Sequence, residues 1–210
     1  MPKTPIFVPC YFGSVDQFAV MLQYDKILFE AAAHYQKQSL RNRQEIYGAN
    51  GKLKLSIPIE HVPGKNNTHQ ILKDVKIKNE FKWQKEHFKS IQVAYRTAPY
   101  FEFLEDELSP IYQKRYTYLL DFNLACFHTL SNIMNLAISY EMTDNYQLNE
   151  NDYLFYTYLA DAKREVKLEP YDQVFMEKHR FLSNLSILDL IFNLGNESRD
   201  YLSRLSKKLV

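Results

Sequence analysis

IFVPCYFGSVDQFAVMLQYDKILFE, residues 6–30, decides the fold. Ile6–Pro9 is a short apolar run that ends in the loop Cys10–Ser14. Ser14 and Gln17 have capping-box spacing, and Val15, Phe18, Ala19 and Leu22 recur at helical spacing, so Val15–Tyr24 reads as a helix with one buried stripe. Lys26–Glu30 then returns to strand length and character. A strand, a helix and a second strand form a crossover, and crossovers join parallel strands. The unit therefore predicts an α/β fold with a small, largely parallel sheet. It also sets Cys10–Ser14 at the carboxyl end of a strand and the amino end of a helix, where free N–H groups favour anions. Only Gly13 is present there, without GxGxxG or P-loop spacing, so a plain connecting loop stands as the alternative.

Further along, Leu53–Ile59 and Asp74–Lys78 alternate apolar and polar residues as strands do, with His61–His69 as the loop between them. From Phe81 the period becomes helical: Phe88, Ile91, Tyr95 and Ala98 share a face until Pro99 breaks it. Ser109-Pro110 reads as a helix start, and Tyr112, Tyr116, Leu119, Asn123, Phe127, Leu130 and Met134 predict the longest helix. Ala137–Met142 is read as a short strand, Asn145–Asp152 as a loop and Tyr153–Lys163 as a helix. Ser186 with Asp189 gives a second capping-box spacing, Gly195 a stop, and Glu197–Lys208 a last helix whose acids come early and lysines late. The second half is thus mainly helical, and residues 1–210 are expected to form one domain.

Composition excludes several classes of function. With 46% apolar and 24% charged residues and only 5 Gly and 8 Pro, nothing suggests disorder. A net charge of +1 argues against a nucleic-acid partner, which calls for many phosphate-neutralising cations. Cys10 and Cys126 form no CxxC or metal spacing and are expected to be reduced and buried. His61 and His69 have no ligand-spaced partners, so neither a metal nor a cofactor is expected. MPKTPIFVPCYFG lacks an export-type apolar core, and LSILDLIFNLG is too short and carries Asp189, so a cytoplasmic protein without a transmembrane segment is expected. Oligomeric state leaves no mark here.

The densest functional candidate is His34-Tyr35-Gln36-Lys37-Gln38-Ser39-Leu40-Arg41-Asn42-Arg43. Arg41 and Arg43 suit forked binding of phosphate oxygens, and Lys37 adds a point charge. A solvated basic face is the alternative reading of the same residues. Trp83 and His87 lie four apart, on one helical face, and His87 is the candidate general acid or base. Ser39 becomes a nucleophile only if folding brings it a base. The 16 Tyr and 14 Phe are mostly core rings with satisfied hydroxyls, although a few suit a pocket for a sugar or a base.

Taken as a set, PCYFGSVDQFAVMLQYD, HYQKQSLRNRQEI, SIPIE, WQKEHFKSIQVAYRTAPYF and FLSNLSILDLIFNLG resemble, in order, the blocks of the WbqC-like protein family. The resemblance implies a role in making or modifying an activated sugar for bacterial surface polysaccharide of the O-antigen type. The implied partner is a phosphate-bearing small molecule such as a nucleotide sugar, and the implied enzyme a group transferase; a non-catalytic sugar- or partner-binding protein of the same pathway is the alternative. By position, Lys37, Ser39, Asn42 and Arg43 fall in the family motif, Trp83 and His87 in the next block, and Gln173 and Asp189 in the last ones. Lys37, Ser39 and His87 are then the catalytic candidates. Tyr11, Phe12, His34, Tyr35, Arg41, Asn42, Arg43 and Trp83 are the binding candidates. Gly13-Ser14 replaces a familial proline, Leu40 a frequent tryptophan, and DNYQLNENDYLFY a glycine-rich segment.

Overall fold

The computed structural model describes residues 3–60, 70–146 and 151–209. Strand β1 (Thr4–Phe7), helix α1 (Val15–Met21) and strand β2 (Lys26–Phe29) form the expected crossover unit. β1 and β2 run parallel, with Ile6 opposite Leu28 and Phe7 opposite Phe29. Strand β5 (Ser139–Met142) adds to β2 and strand β6 (Tyr153–Phe155) to β1, both parallel, giving the order β5-β2-β1-β6. The fold is therefore α/β with a small parallel sheet and a mainly helical second half. Phe7, Ile27 and Phe29 are fully buried, as expected of a parallel sheet covered by helices.

Helix α2 (Trp83–Tyr95) ends before Pro99 as the periodicity requires. Helix α3 (Phe101–Gln113) and helix α4 (Leu119–Ile133) replace the single long helix expected from residue 109 onward. Pro110 lies inside α3 rather than at a helix start. The buried stripe of Phe101, Leu108, Ile111 and Tyr112 runs across the proline and offsets the backbone hydrogen bond it cannot make. Tyr116 falls in the connection, so the three-and-four spacing of the sequence spans two helices. α4 lies on the sheet, where Phe127 meets Phe29 edge-on at 5.0 Å.

Residues 153–163 are not helical: β6 is followed by a 3-10 turn, Thr157–Ala160. Pairing with β1 overrides the local preference. The strand expected over 74–78 is a 3-10 turn, Leu72–Asp74, followed by isolated bridges from Lys76 to Tyr118 and from Ile77 to Ile59. Strand β3 (Arg43–Gly48), not foreseen, pairs antiparallel with strand β4 (Gly51–Ser56) across a two-residue turn. The loop read over 61–69 lies outside the described residues, as do residues 147–150.

At the end of the chain come a short helix α5 (Met176–His179), helix α6 (Ile187–Leu194) and helix α7 (Glu197–Leu209). Ser186 caps α6 by accepting from the Leu188 N–H. Gly195, at φ +53, ends it, and an added Cβ there would stand 2.4 Å from the Tyr100 ring. Among the described residues no helix is long and apolar enough to cross a membrane.

Candidate functional site

Loop 34–42 crosses the carboxyl edge of the sheet, where parallel α/β proteins place their ligands. It is pinned at one end by the Tyr35 N–H on the Gln70 carbonyl, at 2.8 Å. At the other, Tyr11 N–H donates to the Leu40 carbonyl at 3.0 Å, and Leu40 N–H to the Ala160 carbonyl at 2.8 Å. The Asn123 amide, from α4, donates to the carbonyls of Arg41 at 2.7 Å and Pro9 at 3.0 Å. Asn42 exchanges two bonds with Ile57, at 3.0 and 2.8 Å. Gln36, Lys37 and Gln38 are left exposed on a turn in which Ser39 donates its hydroxyl to the Gln36 carbonyl at 2.7 Å.

Arg41 is the unusual residue. Its side chain lies in the core at 2% exposure, yet among the described residues its only hydrogen bond runs from Nη1 to the neutral Gln36 Oε1 at 3.2 Å, and Nε has no partner there. Among the described residues no carboxylate forms an ion pair with Arg41, Arg43 or Lys37. Burial pulls the Arg41 pKa below its ordinary value, against the weaker opposing pull of Cys10, Tyr35 and the Asp161 carboxylate, which lies near it without forming an ion pair. A buried, unpaired cation costs several kcal/mol, so a fold rarely keeps one without use for it. Arg43 is half-buried with its own Nε unpartnered, and Asn42 Oδ1 is likewise unmatched. Tyr35 stands by both guanidiniums: burial pushes its hydroxyl up to about 12 while Arg43 and Arg41 pull the other way.

A second polar cluster lies on the far side of Tyr11. The Tyr11 hydroxyl meets His87 Nδ1 at 3.0 Å and the Tyr112 hydroxyl at 2.9 Å. Gln44 reaches Tyr112 at 3.5 Å and accepts from Ser186 at 3.0 Å. Tyr11 stacks on His87 at 5.8 Å and 17°, and Trp83 meets the imidazole edge-on at 5.3 Å. Burial lowers the His87 pKa to about 4, so the ring is neutral near pH 7. The protein therefore gives up stability as pH falls from the unfolded value of about 6.5 through 4, because only the unfolded chain gains the proton there. Comparing denaturant midpoints at pH 7 and pH 4.5, His87→Gln is expected to remove a loss of on the order of 2 kcal/mol. An unchanged pH dependence would refute this account of the ring.

The structure thus joins part of the predicted set. Tyr35, Arg41, Asn42 and Arg43 belong to the loop, Lys37 stands on its exposed turn, and His34 is exposed and bridged to Ile71. Among the described residues His87 is linked to the loop through Tyr11, whose hydroxyl meets the imidazole and whose N–H donates to the Leu40 carbonyl, and Trp83 packs on the imidazole. Tyr11 and Phe12 are buried at 0 and 1% exposure. The anion site expected at 10–14 is closed from within: Val15 N–H donates to the Leu185 carbonyl and Asp16 N–H to Asn184 Oδ1. The buried Asp16 carboxylate takes up Ser14 at 2.5 Å and Arg164 at 2.6 Å, so the capping box does not form. Gln44, Tyr112 and Asn123 join these two clusters although the sequence does not single them out as candidates; Asn123, polar in an apolar stripe, is the one that carries a signal. A polar cleft of about 30 Å³, lined by Gly13, Ser14, Leu40, Asp161, Arg164 and Ser186, adjoins the loop and has room for little more than water. A larger cavity of about 510 Å³ between Tyr100, Leu104, Ile133, Met134 and Arg199 shares no residue with the loop. Among the described residues no group of three or more His, Cys, Asp or Glu is placed to hold a metal ion.

Residues 8–171, which contain the loop, Tyr11 and His87, match the model of the WbqC-like protein family. The chain belongs to the WbqC-like protein family. Uncharacterized protein Rv1507c of Mycobacterium tuberculosis is 23% identical over 230 residues, covering 96% of this chain and 98% of its own. No solved structure matches. Within this WbqC-like chain the matched stretch ends at Tyr171, so Gln173 and Asp189 lie beyond it. Asp189 nevertheless anchors that end of the molecule: it accepts from Tyr95 at 2.8 Å and from Tyr171 and Gln173 at 2.7 Å each.

Proposed function

We propose that this protein acts in the biosynthesis of bacterial surface polysaccharide, as an enzyme that binds an activated, phosphate-bearing sugar at loop 34–42. The supporting observation is the buried Arg41 guanidinium, with no ion-paired carboxylate among the described residues, at the carboxyl edge of a parallel sheet. Membership of the WbqC-like family supports the pathway. In this reading Arg41 and Arg43 hold phosphate oxygens, Lys37 adds its charge from the exposed turn, and the Tyr35 hydroxyl donates alongside them. Asn42 Oδ1, which has no partner, accepts from a sugar hydroxyl. His87 is the group for proton transfer; burial keeps it neutral near pH 7, the form that can accept a proton, although its lowered pKa makes it a weaker base than a free imidazole. Ser39, whose hydroxyl is spent on the turn, holds the loop instead of attacking. Transfer of a group to or from the sugar is the reaction class this set serves.

One observation favours a second reading, a non-catalytic sugar- or partner-binding protein: Tyr11 stands between His87 and the cations. A His87→Gln protein that sustains full product formation in a reconstituted pathway would establish it. The binding role is tested by calorimetric titration with a panel of nucleoside diphosphate sugars. Arg43→Ala should weaken the best of them about 10- to 100-fold, the worth of one charge-assisted bond. Unchanged binding would reject the role of Arg43.

A further inference from the structure

We infer that Gln36 is a gate on this site: its side-chain amide oxygen takes the place on Arg41 that a phosphoryl oxygen of the ligand would take. The inference rests on the reading of loop 34–42 as an anion site. Arg41 is buried at 2% exposure, whereas Gln36, the one hydrogen-bond partner of its guanidinium among the described residues, is exposed, so the amide is what meets the guanidinium from the solvent side. The bond is weak of its kind. At 3.2 Å it exceeds the 2.7–2.9 Å typical of an ionised donor on an ionised acceptor, and the acceptor is neutral. A phosphoryl oxygen would therefore replace it with a net gain.

The turn that carries Gln36 is built to give way. Its flanks are fixed by the Tyr35 and Leu40 N–H bonds, but residues 36–38 are exposed, and the Ser39 hydroxyl on the Gln36 carbonyl is the bond that closes the turn. Gln38 sits at φ +60, a left-handed conformation that is strained for a residue other than glycine. Moving the turn would release that strain, uncover Arg41 and carry Lys37 with it. Binding must first displace Gln36, which lowers the apparent affinity by the fraction of time the gate is closed.

Gln36→Ala and Gln36→Glu separate this from a structural role, and because residue 36 is exposed both variants should fold. Titrated with inorganic pyrophosphate in a calorimeter, Gln36→Ala should bind about 3- to 10-fold more tightly than the natural protein, having nothing to displace. Gln36→Glu, which places a carboxylate on Arg41, should bind at least about 10-fold more weakly and melt at a higher temperature. Equal affinity in either variant, or weaker binding by Gln36→Ala, would overturn the gate and leave the anion site standing. No binding by any of the three proteins would overturn the anion site and the gate with it.

Discussion

Arg41→Met is expected to abolish binding of phosphate-bearing ligands while leaving the protein as stable as before, or more so. The two halves of that expectation come from one fact. A guanidinium at 2% exposure whose side-chain hydrogen bond among the described residues goes to a neutral amide has lost its hydration without gaining an ion pair, and the more distant Asp161 carboxylate offsets only part of the desolvation cost. Methionine fills a similar volume without it, and buried charges replaced by apolar residues of like size commonly leave stability unchanged or raise it by about 1–4 kcal/mol. Gln36 loses only a long hydrogen bond and, being exposed, regains one to water. A ligand phosphate, by contrast, loses its most desolvated cation, and truncating one partner of a buried charge pair costs about 2–5 kcal/mol, or roughly 30- to several thousand-fold in affinity. A thermal melt and a calorimetric titration on the same preparation read both. A variant that melts far lower would mean that Arg41 is structural, and one that binds as before would mean that the anion lies elsewhere.

Asp189→Ala is expected to bring the largest loss of stability, about 3–5 kcal/mol in urea denaturation. The carboxylate is fully buried on α6 and receives the Tyr95 hydroxyl, the Tyr171 hydroxyl and the Gln173 amide. Tyr95 in turn accepts the Tyr47 N–H at 2.9 Å, so one side chain ties α6, α2, β3 and the segment around 171–173 together. Alanine would leave the Tyr95 and Tyr171 hydroxyls buried without an acceptor, each at about 1–3 kcal/mol before relaxation, and the Gln173 amide with the Leu182 carbonyl alone. Burial raises the Asp189 pKa to about 6, against the opposing pull of its three hydrogen bonds. With the folded value above the unfolded one, the stabilisation from this group is full below the unfolded pKa of about 3.9 and is lost as pH rises through about 6. That is opposite in sign to His87 over the same range. Asp189→Asn should therefore steepen the acid-side loss of stability that His87→Gln removes. A loss below about 1 kcal/mol for Asp189→Ala would show that the donors find other partners.

Much of this architecture is written locally and some of it is not. The crossover unit over 6–30 can be read because its strands and helix are adjacent and the connection leaves no other geometry. β6 cannot, since three residues become a strand only by pairing with β1, about 150 residues earlier, and their aromatic content suits a helix equally well. β3 hides behind Arg43, Gln44 and Glu45, although Asn50-Gly51 at its turn is a hairpin signal. The site divides in the same way. Residues 34–43 stand out by composition alone, but composition treats Lys37, Arg41 and Arg43 as three like charges. Folding separates them into an exposed, a buried and a half-buried cation, because Tyr11 holds the Leu40 carbonyl and Asn123 of α4 the Arg41 carbonyl against the core. The four-residue spacing of Trp83 and His87 places both on one helical face, and Tyr11 is a candidate by resemblance, but that Tyr11 stacks on His87 and stands between it and the cations follows only from folding.

The most direct measurement is a crystal structure of the protein grown with tungstate, a heavy phosphate-shaped oxyanion whose anomalous signal fixes its position. The account predicts the ion within hydrogen-bond distance of the Arg41 and Arg43 guanidiniums, with Gln36 turned away from Arg41. Arg41 still bonded to Gln36, with no ion bound or with the ion held by other residues, would contradict it.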